Sequence, residues 1–115
     1  MEILKKQYIM NEVSKEKLIK NGFRYSRQLS NADENIYILR FPLHKYRKYT
    51  ALEGVISTEL NTGETNVNVY SCNINSIYPP CYNYSDKDKR YKKLFNMIRQ
   101  LITQKLMDLN ITEVT

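Results

Sequence analysis

The chain of 115 residues has the length of one ordinary domain, and we predict a single domain over residues 1–115. Its hydrophobic fraction of 42% and charged fraction of 26% are typical of a globular protein and argue against a disordered chain. With 18 Lys and Arg against 12 Asp and Glu, the formal net charge is +6. This charge favours an anionic partner, such as nucleic acid, anionic lipid or an acidic protein surface, although it can also serve solubility alone.

The sequence carries no signal for export or membrane insertion. Lys5 and Lys6 interrupt the start of the chain, where a secretory signal needs an apolar stretch of ~7–15 residues. The longest apolar run, residues 36–39, is far shorter than the ~20 residues of a membrane-spanning helix. We therefore expect a cytoplasmic protein, in which Cys72 and Cys81 stay as free thiols. If the protein is exported by another route, a disulfide between the two cysteines is the alternative.

A short helix is predicted at about 14–21. Ser14 can accept a backbone N–H bond as the N-cap, and Asn21-Gly22 is a typical helix end. The preceding residues, Glu2–Met10, could add an edge strand to a sheet, but Lys5-Lys6-Gln7 breaks the alternating pattern that such a strand requires.

Alternating apolar and polar residues then predict an antiparallel sheet. Two strands are expected at about 23–29 and 36–42, the second ending near Pro42. A hairpin follows, with strands at about 54–60 and 65–73 and with Leu60 opposite Thr65. This register places Ile56, Leu60, Val67 and Val69 on a buried face, and Ser57, Glu59, Asn66 and Asn68 on a solvated face.

A long amphipathic helix is predicted at about 86–109. Ser85 can cap it, and apolar residues recur at helical spacing at Tyr91, Leu94, Phe95, Ile98, Leu101, Ile102, Leu106 and Leu109. The order of elements predicts an α+β two-layer sandwich, in which an antiparallel sheet of three to four strands packs against a short N-terminal helix and a long C-terminal helix.

The sequence contains no combination of residues that is recognisable as a catalytic site. His44 is the only histidine, and neighbouring Lys45 and Arg47 disfavour the imidazolium that a general base must form. Cys72, Cys81 and His44 do not have the spacing of a zinc site, and the three glycines form no phosphate-binding loop. We therefore predict a binding protein that is not an enzyme and has no cofactor and no metal.

Two segments, residues 44–49 and 82–93, combine positive charge with aromatic rings. This combination suits single-stranded nucleic acid, because tyrosines can stack on bases while lysines and arginines neutralise phosphates. The same residues can equally form a solvated face at the edge of the core. The candidate binding residues are Lys45, Tyr46, Arg47, Lys48, Tyr49, Tyr82, Tyr84, Lys89, Arg90, Lys92 and Lys93.

Protein recognition is the leading hypothesis, and single-stranded nucleic acid is the alternative. The segment 78–84, with Pro79-Pro80 between tyrosines, predicts a semi-rigid aromatic loop of the kind found in protein interfaces. Salt dependence separates the two hypotheses, because a phosphate-binding site weakens steeply with salt whereas an aromatic protein interface need not.

The layout also resembles the short proteins of Gram-positive phages and prophages. The resemblance spans roughly residues 14–111 and rests on Gly22-Phe23, the run 38–42, the turn 61–64, Tyr82-Asn83-Tyr84 and the terminal helix. It implies an accessory role in phage biology, including interference with a host defence complex by binding protein or nucleic acid. It supplies no catalytic residues.

Overall fold

The computed structural model describes residues 2–46, 49–71 and 92–114. These residues form one antiparallel sheet and two α-helices. In chain order the elements are a 3-10 turn (Glu2–Leu4), β1 (Tyr8–Met10), α1 (Lys15–Lys20), β2 (Arg24–Tyr25), β3 (Ile36–Tyr46), β4 (Tyr49–Glu59), β5 (Glu64–Ser71), α2 (Lys92–Asp108) and β6 (Ile111–Glu113).

The predicted α+β class, with an antiparallel sheet and a C-terminal helix, is confirmed. The predicted number of three to four strands is wrong, because the described residues alone form six strands in the order β2-β3-β4-β5-β1-β6. The N-terminal residues do form a strand, but β1 lies between β5 and β6 and is not an edge. The unpredicted β6 pairs with β1, which places Met10 opposite Ile111 and brings the two ends of the chain together.

The short helix α1 falls within the predicted range. The Ser14 hydroxyl accepts the backbone N–H of Lys17 at 3.1 Å, which satisfies one of the free amides of the first turn. Leu18 is fully buried and anchors the helix in the core, and Phe23 folds back so that its N–H donates to the Leu18 carbonyl at 2.9 Å.

The helix α2 supplies the second layer. Its buried residues, Phe95, Ile98, Ile102 and Leu106, recur at helical spacing and belong to the same core cluster as the sheet side chains. Leu101, which the pattern predicted to pack, is exposed. The first residues of the predicted helix, 86–91, lie outside the described residues. The sheet residues of the core are Tyr8, Met10, Tyr37, Leu39, Phe41, Leu43, Leu52, Ile56, Val67, Val69 and Ile111.

Three of the predicted strands have different lengths from those expected. The first, predicted at 23–29, is only Arg24–Tyr25, and its remaining residues enter a loop. The second continues through Pro42 to Tyr46, where a bulge interrupts the pairing with β4 between Pro42 and His44. A proline can remain in a strand at such a bulge. Because β2 pairs with β3 only at Tyr37 and Ile38, no strand that the structure describes on that side needs the N–H that Pro42 lacks. The third, predicted at 54–60, begins at Tyr49.

The hairpin of β4 and β5 is confirmed, but its predicted register is wrong by two residues. Thr65 lies opposite Thr58, and Leu60 lies in the turn. Because the shift is even, Ile56, Val67 and Val69 remain on the buried face. The structural register pairs the buried hydroxyls of Thr58 and Thr65 at 3.0 Å, so neither is left without a hydrogen bond. The last two residues of the predicted strand, 72–73, lie outside the described residues.

Candidate functional site

The face of the sheet opposite the helices, here called the outer face, carries the candidate site. Both helices pack on the face of Leu39, Ile56 and Val67, because their buried residues share one core cluster with these side chains. Side chains alternate along each strand, so the neighbouring positions point to the outer face. The residues that the structure describes there include Arg24, Ile36, Ile38, Arg40, Pro42, Glu53, Val55, Ser57, Glu59, Glu64, Asn66, Asn68 and Tyr70.

The centre of the outer face is apolar. Val55 lies between Arg40 on β3 and Asn68 on β5, and it is only 6% exposed although it points away from the helices. Ile36 and Ile38 are half-buried on the same face. An apolar floor surrounded by polar side chains is the usual anatomy of a protein-binding surface.

A groove of about 410 Å³, here called the outer groove, crosses this face. Its most exposed apolar walls are Leu29, at 55% exposed, and Tyr70, at 49%. Glu34 is the only charged residue among the described residues that line it. The full set of described lining residues is Leu4, Leu29, Glu34, Ile36, Ser57, Asn66, Val67, Asn68 and Tyr70.

The loop of residues 26–35 positions Leu29 and Glu34 beside the groove. The Ser26 N–H donates to the Ile36 carbonyl at 2.8 Å, and the Ile36 N–H donates to the Ser30 hydroxyl at 2.9 Å. Within the loop, the Asn31 side-chain oxygen accepts the N–H groups of Asp33 and Glu34 at 2.8 and 2.9 Å, which forms an Asx turn. These bonds give the loop a fixed path over the end of β3.

Glu59 joins this loop to the β4–β5 turn. Its side chain accepts the Asn35 N–H at 2.9 Å, the Asn61 N–H at 2.6 Å and the Thr62 N–H at 2.7 Å. The side chains of Asn61 and Thr62 each donate a further bond at 3.2 Å. The prediction that Glu59 lies on a solvated face is wrong, because the residue is 5% exposed and its carboxylate accepts hydrogen bonds from backbone N–H groups instead of from water.

The hydrogen bonds determine the protonation state of Glu59. Burial acts to raise the pKa of its carboxyl group, but the N–H groups of Asn35, Thr62 and Asn61 and the Thr62 hydroxyl stabilise the charged form and hold the pKa below its ordinary value. Glu59 is therefore an anion at neutral pH, and its hydrogen bonds hold the end of the 26–35 loop against the β4–β5 turn.

A second pocket, here called the arginine pocket, lies at β2 and β3. It has a volume of about 330 Å³ and contains Arg24 and Arg40, both exposed. The guanidinium of Arg40 lies 3.6 Å from the Glu53 carboxylate. The remaining described residues that line the pocket are Gly22, Tyr25, Ser26, Gln28 and Ile38.

The candidate residues from the sequence whose side chains the structure describes do not line the outer groove or the arginine pocket. Lys45 is exposed on β3, whereas Lys92 and Lys93 are adjacent, exposed residues at the start of α2. Tyr46 and Tyr49 pair with each other where β3 and β4 meet. The other candidates, Arg47, Lys48, Tyr82, Tyr84, Lys89 and Arg90, lie outside the described residues, as do Cys72, Cys81 and the segment 78–84.

His44 is half-buried on β3, beside the bulge that follows Pro42. Within the described residues, no group of three His, Cys, Asp or Glu side chains is close enough to hold a metal ion. None of the helices in the same part of the chain is long and apolar enough to cross a membrane.

The sequence pattern predicts one side of the outer groove but not the other. It places Ser57, Asn66 and Asn68 together on one face of the hairpin, as the structure has them, but indicates only that this face is solvated. It predicts Leu29 in a strand, whereas Leu29 belongs to the 26–35 loop. The polar run 31–35 signalled a turn, but no pattern in the sequence indicates that this loop lies beside Asn68 and Tyr70.

No known protein-family profile, no curated protein and no solved structure matches the chain.

Proposed function

We propose that the protein is a non-catalytic recognition protein that binds a protein partner through its outer face. The observation that supports this proposal most strongly is the outer groove, which combines the half-buried side chains of Leu4 and Ile36 with the exposed side chains of Leu29 and Tyr70. Tyrosine and apolar anchors surrounded by amides and hydroxyls are typical of protein interfaces. Asn66, Asn68 and Ser57 can supply the polar contacts of such a rim.

The charge of the groove also favours protein over nucleic acid. The chain has a net charge of +6, yet no lysine or arginine is among the described residues that line the outer groove. Phosphate contacts depend on lysine and arginine, because neutralisation of the backbone supplies most of the affinity. A groove with one carboxylate, from Glu34, would repel a phosphate backbone.

Removal of the two exposed apolar walls is the direct test. We expect the double variant Leu29→Ala/Tyr70→Ala to lose the protein partners that immobilised wild-type protein captures, because the anchors of an interface carry most of its binding energy. Affinity capture followed by mass spectrometry and by nucleic-acid sequencing measures both classes of partner.

The matched control is Ile19→Ala/Met107→Ala. Ile19 on α1 and Met107 on α2 are 56% and 68% exposed, so this variant removes a similar exposed apolar area from the helical side. The control should retain the partners of the wild-type protein. Capture that is unaffected by the groove variant, or recovery of nucleic acid alone, would refute the proposal.

Single-stranded nucleic acid is the second candidate function. It is supported by Lys45, Lys92 and Lys93, which are exposed and form no ion pair in the described part of the chain. On this alternative, affinity for a single-stranded oligonucleotide falls strongly between ~50 and ~200 mM salt, and Lys45→Gln/Lys92→Gln/Lys93→Gln flattens the slope. Fluorescence anisotropy measures both quantities, and no binding at ~50 mM salt would eliminate this alternative.

A role in phage biology is part of the same proposal and is supported only by the resemblance of the sequence layout. A small protein with one recognition face could interfere with a host defence complex by occupying a surface that the complex needs. Such a protein would be cytoplasmic and would need no cofactor.

A further inference from the structure

The arginine pocket holds two cations on the same face of neighbouring strands. Arg24 on β2 lies opposite Ile38 on β3, so Arg40 is its diagonal neighbour. Diagonal neighbours in an antiparallel pair lie roughly 7–8 Å apart. A carboxylate between the two guanidinium groups can accept hydrogen bonds from both, and arginine binds carboxylates in a planar, often bidentate geometry.

The surroundings leave both arginines available to a ligand. The described residues that line the pocket include no carboxylate, and Ser26 and Gln28 add uncharged polar groups. Arg40 is paired on one side, because its Nη1 lies 3.6 Å from Glu53. A guanidinium has five N–H donors, so this exposed contact leaves donors free for an incoming anion.

The arginine pocket and the outer groove share none of the lining residues that the structure describes, but both draw residues from the 26–35 loop and from β3. The 26–35 loop contributes to both, through Ser26 and Gln28 in the pocket and through Leu29 in the groove. Ile36 lines the groove and Arg40 lines the pocket, four residues further along β3. At ~3.3 Å per residue the two positions are roughly 13 Å apart, which an extended peptide of about four residues would span.

We infer that the outer face binds an acidic segment of a protein partner, which seats a carboxylate between Arg24 and Arg40 and an apolar side chain in the outer groove. This inference rests on the proposed function and specifies the chemistry of its partner. Charge complementarity favours it, because the pocket is cationic and the chain as a whole carries +6. A nucleic acid fits less well, since its repeated phosphates would approach Glu34 in the groove.

The experiment is a selection from a random-peptide library displayed against the immobilised full chain. Selected peptides should carry Asp or Glu about four residues from an apolar residue. Each peptide is then synthesised in two forms, one with its acidic residues intact and one with Asn or Gln in their place. The affinity of both forms for the protein is measured by fluorescence anisotropy. The acidic form should bind roughly tenfold more tightly, and its affinity should fall as salt is raised.

Variants assign the effect to the two arginines. Arg24→Gln/Arg40→Gln should weaken the acidic peptides roughly tenfold and leave the neutral forms unchanged. The control Lys15→Gln/Lys20→Gln removes the same charge from exposed positions of α1 and should change the affinity less than about twofold. Arg24→Glu/Arg40→Glu should instead prefer peptides with lysine at the acidic positions, a gain of binding that a misfolded variant would not show.

The remaining outcomes separate this inference from the proposed function. Suppose that the selected peptides have no excess of acidic residues, and that their binding requires Leu29 and Tyr70 but not Arg24 and Arg40. This result would overturn the inference and leave the protein-recognition proposal standing. If no selected peptide depends on either pair, both fail. A single-stranded RNA probe that binds with the same dependence on Arg24 and Arg40 would also overturn the inference, in favour of nucleic acid.

Discussion

The variant Glu59→Ala is expected to lower the free energy of unfolding by roughly 2–4 kcal/mol, because each of the partly buried hydrogen bonds that its carboxylate accepts contributes about 0.5–1.5 kcal/mol. Three backbone N–H groups, of Asn35, Asn61 and Thr62, lose their acceptor in this variant. Urea denaturation followed by circular dichroism measures the change. The control Glu64→Gln, on an exposed carboxylate at the start of β5, should change the stability by less than about 0.5 kcal/mol.

Glu59 also predicts how stability depends on pH. Its pKa in the folded protein lies below the ordinary value of 4.5, so the unfolded chain binds the proton more readily. The stabilisation is therefore fully present above pH 4.5 and is lost as the pH falls through the lower pKa of the folded state. Glu59→Gln should remove this part of the acid dependence, whereas Glu64→Gln should retain it. An unchanged acid dependence in Glu59→Gln would contradict the assignment.

The variant Gly63→Ala is expected to cost roughly 2–4 kcal/mol, as the sum of backbone strain and a steric clash. Gly63 has a φ of +79°, in the left-handed region that side chains rarely occupy. A Cβ there would lie 2.6 Å from the Met10 carbonyl oxygen, a backbone atom that cannot move without displacing β1. The same glycine accepts the Met10 N–H at 2.8 Å, which joins β1 to the hairpin.

Gly22→Ala is the matched control for this effect. Gly22 also has a positive φ, of +91°, but the nearest atom to an added Cβ is the Leu39 side chain at 3.4 Å. This variant should cost only about 1 kcal/mol, from backbone strain alone. Amide hydrogen exchange should show β1 and β6 weakened in Gly63→Ala and protected in Gly22→Ala. An equal loss of stability in the two variants would show that the clash with the Met10 carbonyl adds nothing to the cost of Gly63→Ala.

Local patterns were sufficient to predict the elements that are long and amphipathic. The alternation in β4 and β5 and the spacing of Phe95, Ile98 and Ile102 in α2 each reflect burial of one side, which is a property of the segment itself. The faces of the hairpin were also predictable, since a shift of two residues preserves them. The α+β class follows from these elements.

Only the tertiary structure decided the register, the short strands and the site. The sequence places Leu60 opposite Thr65, but the hydroxyls of Thr58 and Thr65 can pair only in the other register. The strands β1 and β6 have three residues each, too few for a detectable pattern, and they are stable because each pairs with a segment distant in sequence.

The candidate site depends on the same long-range contacts. Composition identifies a basic chain, but not that Arg24 and Arg40 become neighbours, because that depends on the pairing of β2 with β3. The outer groove forms where hydrogen bonds from residues 26–35 and Glu59 hold a loop beside Asn68 and Tyr70. The sequence alone thus determined which segments bury an apolar face, since burial leaves a local periodicity. The tertiary structure determined which exposed side chains meet, since that depends on contacts between distant residues that no local pattern records.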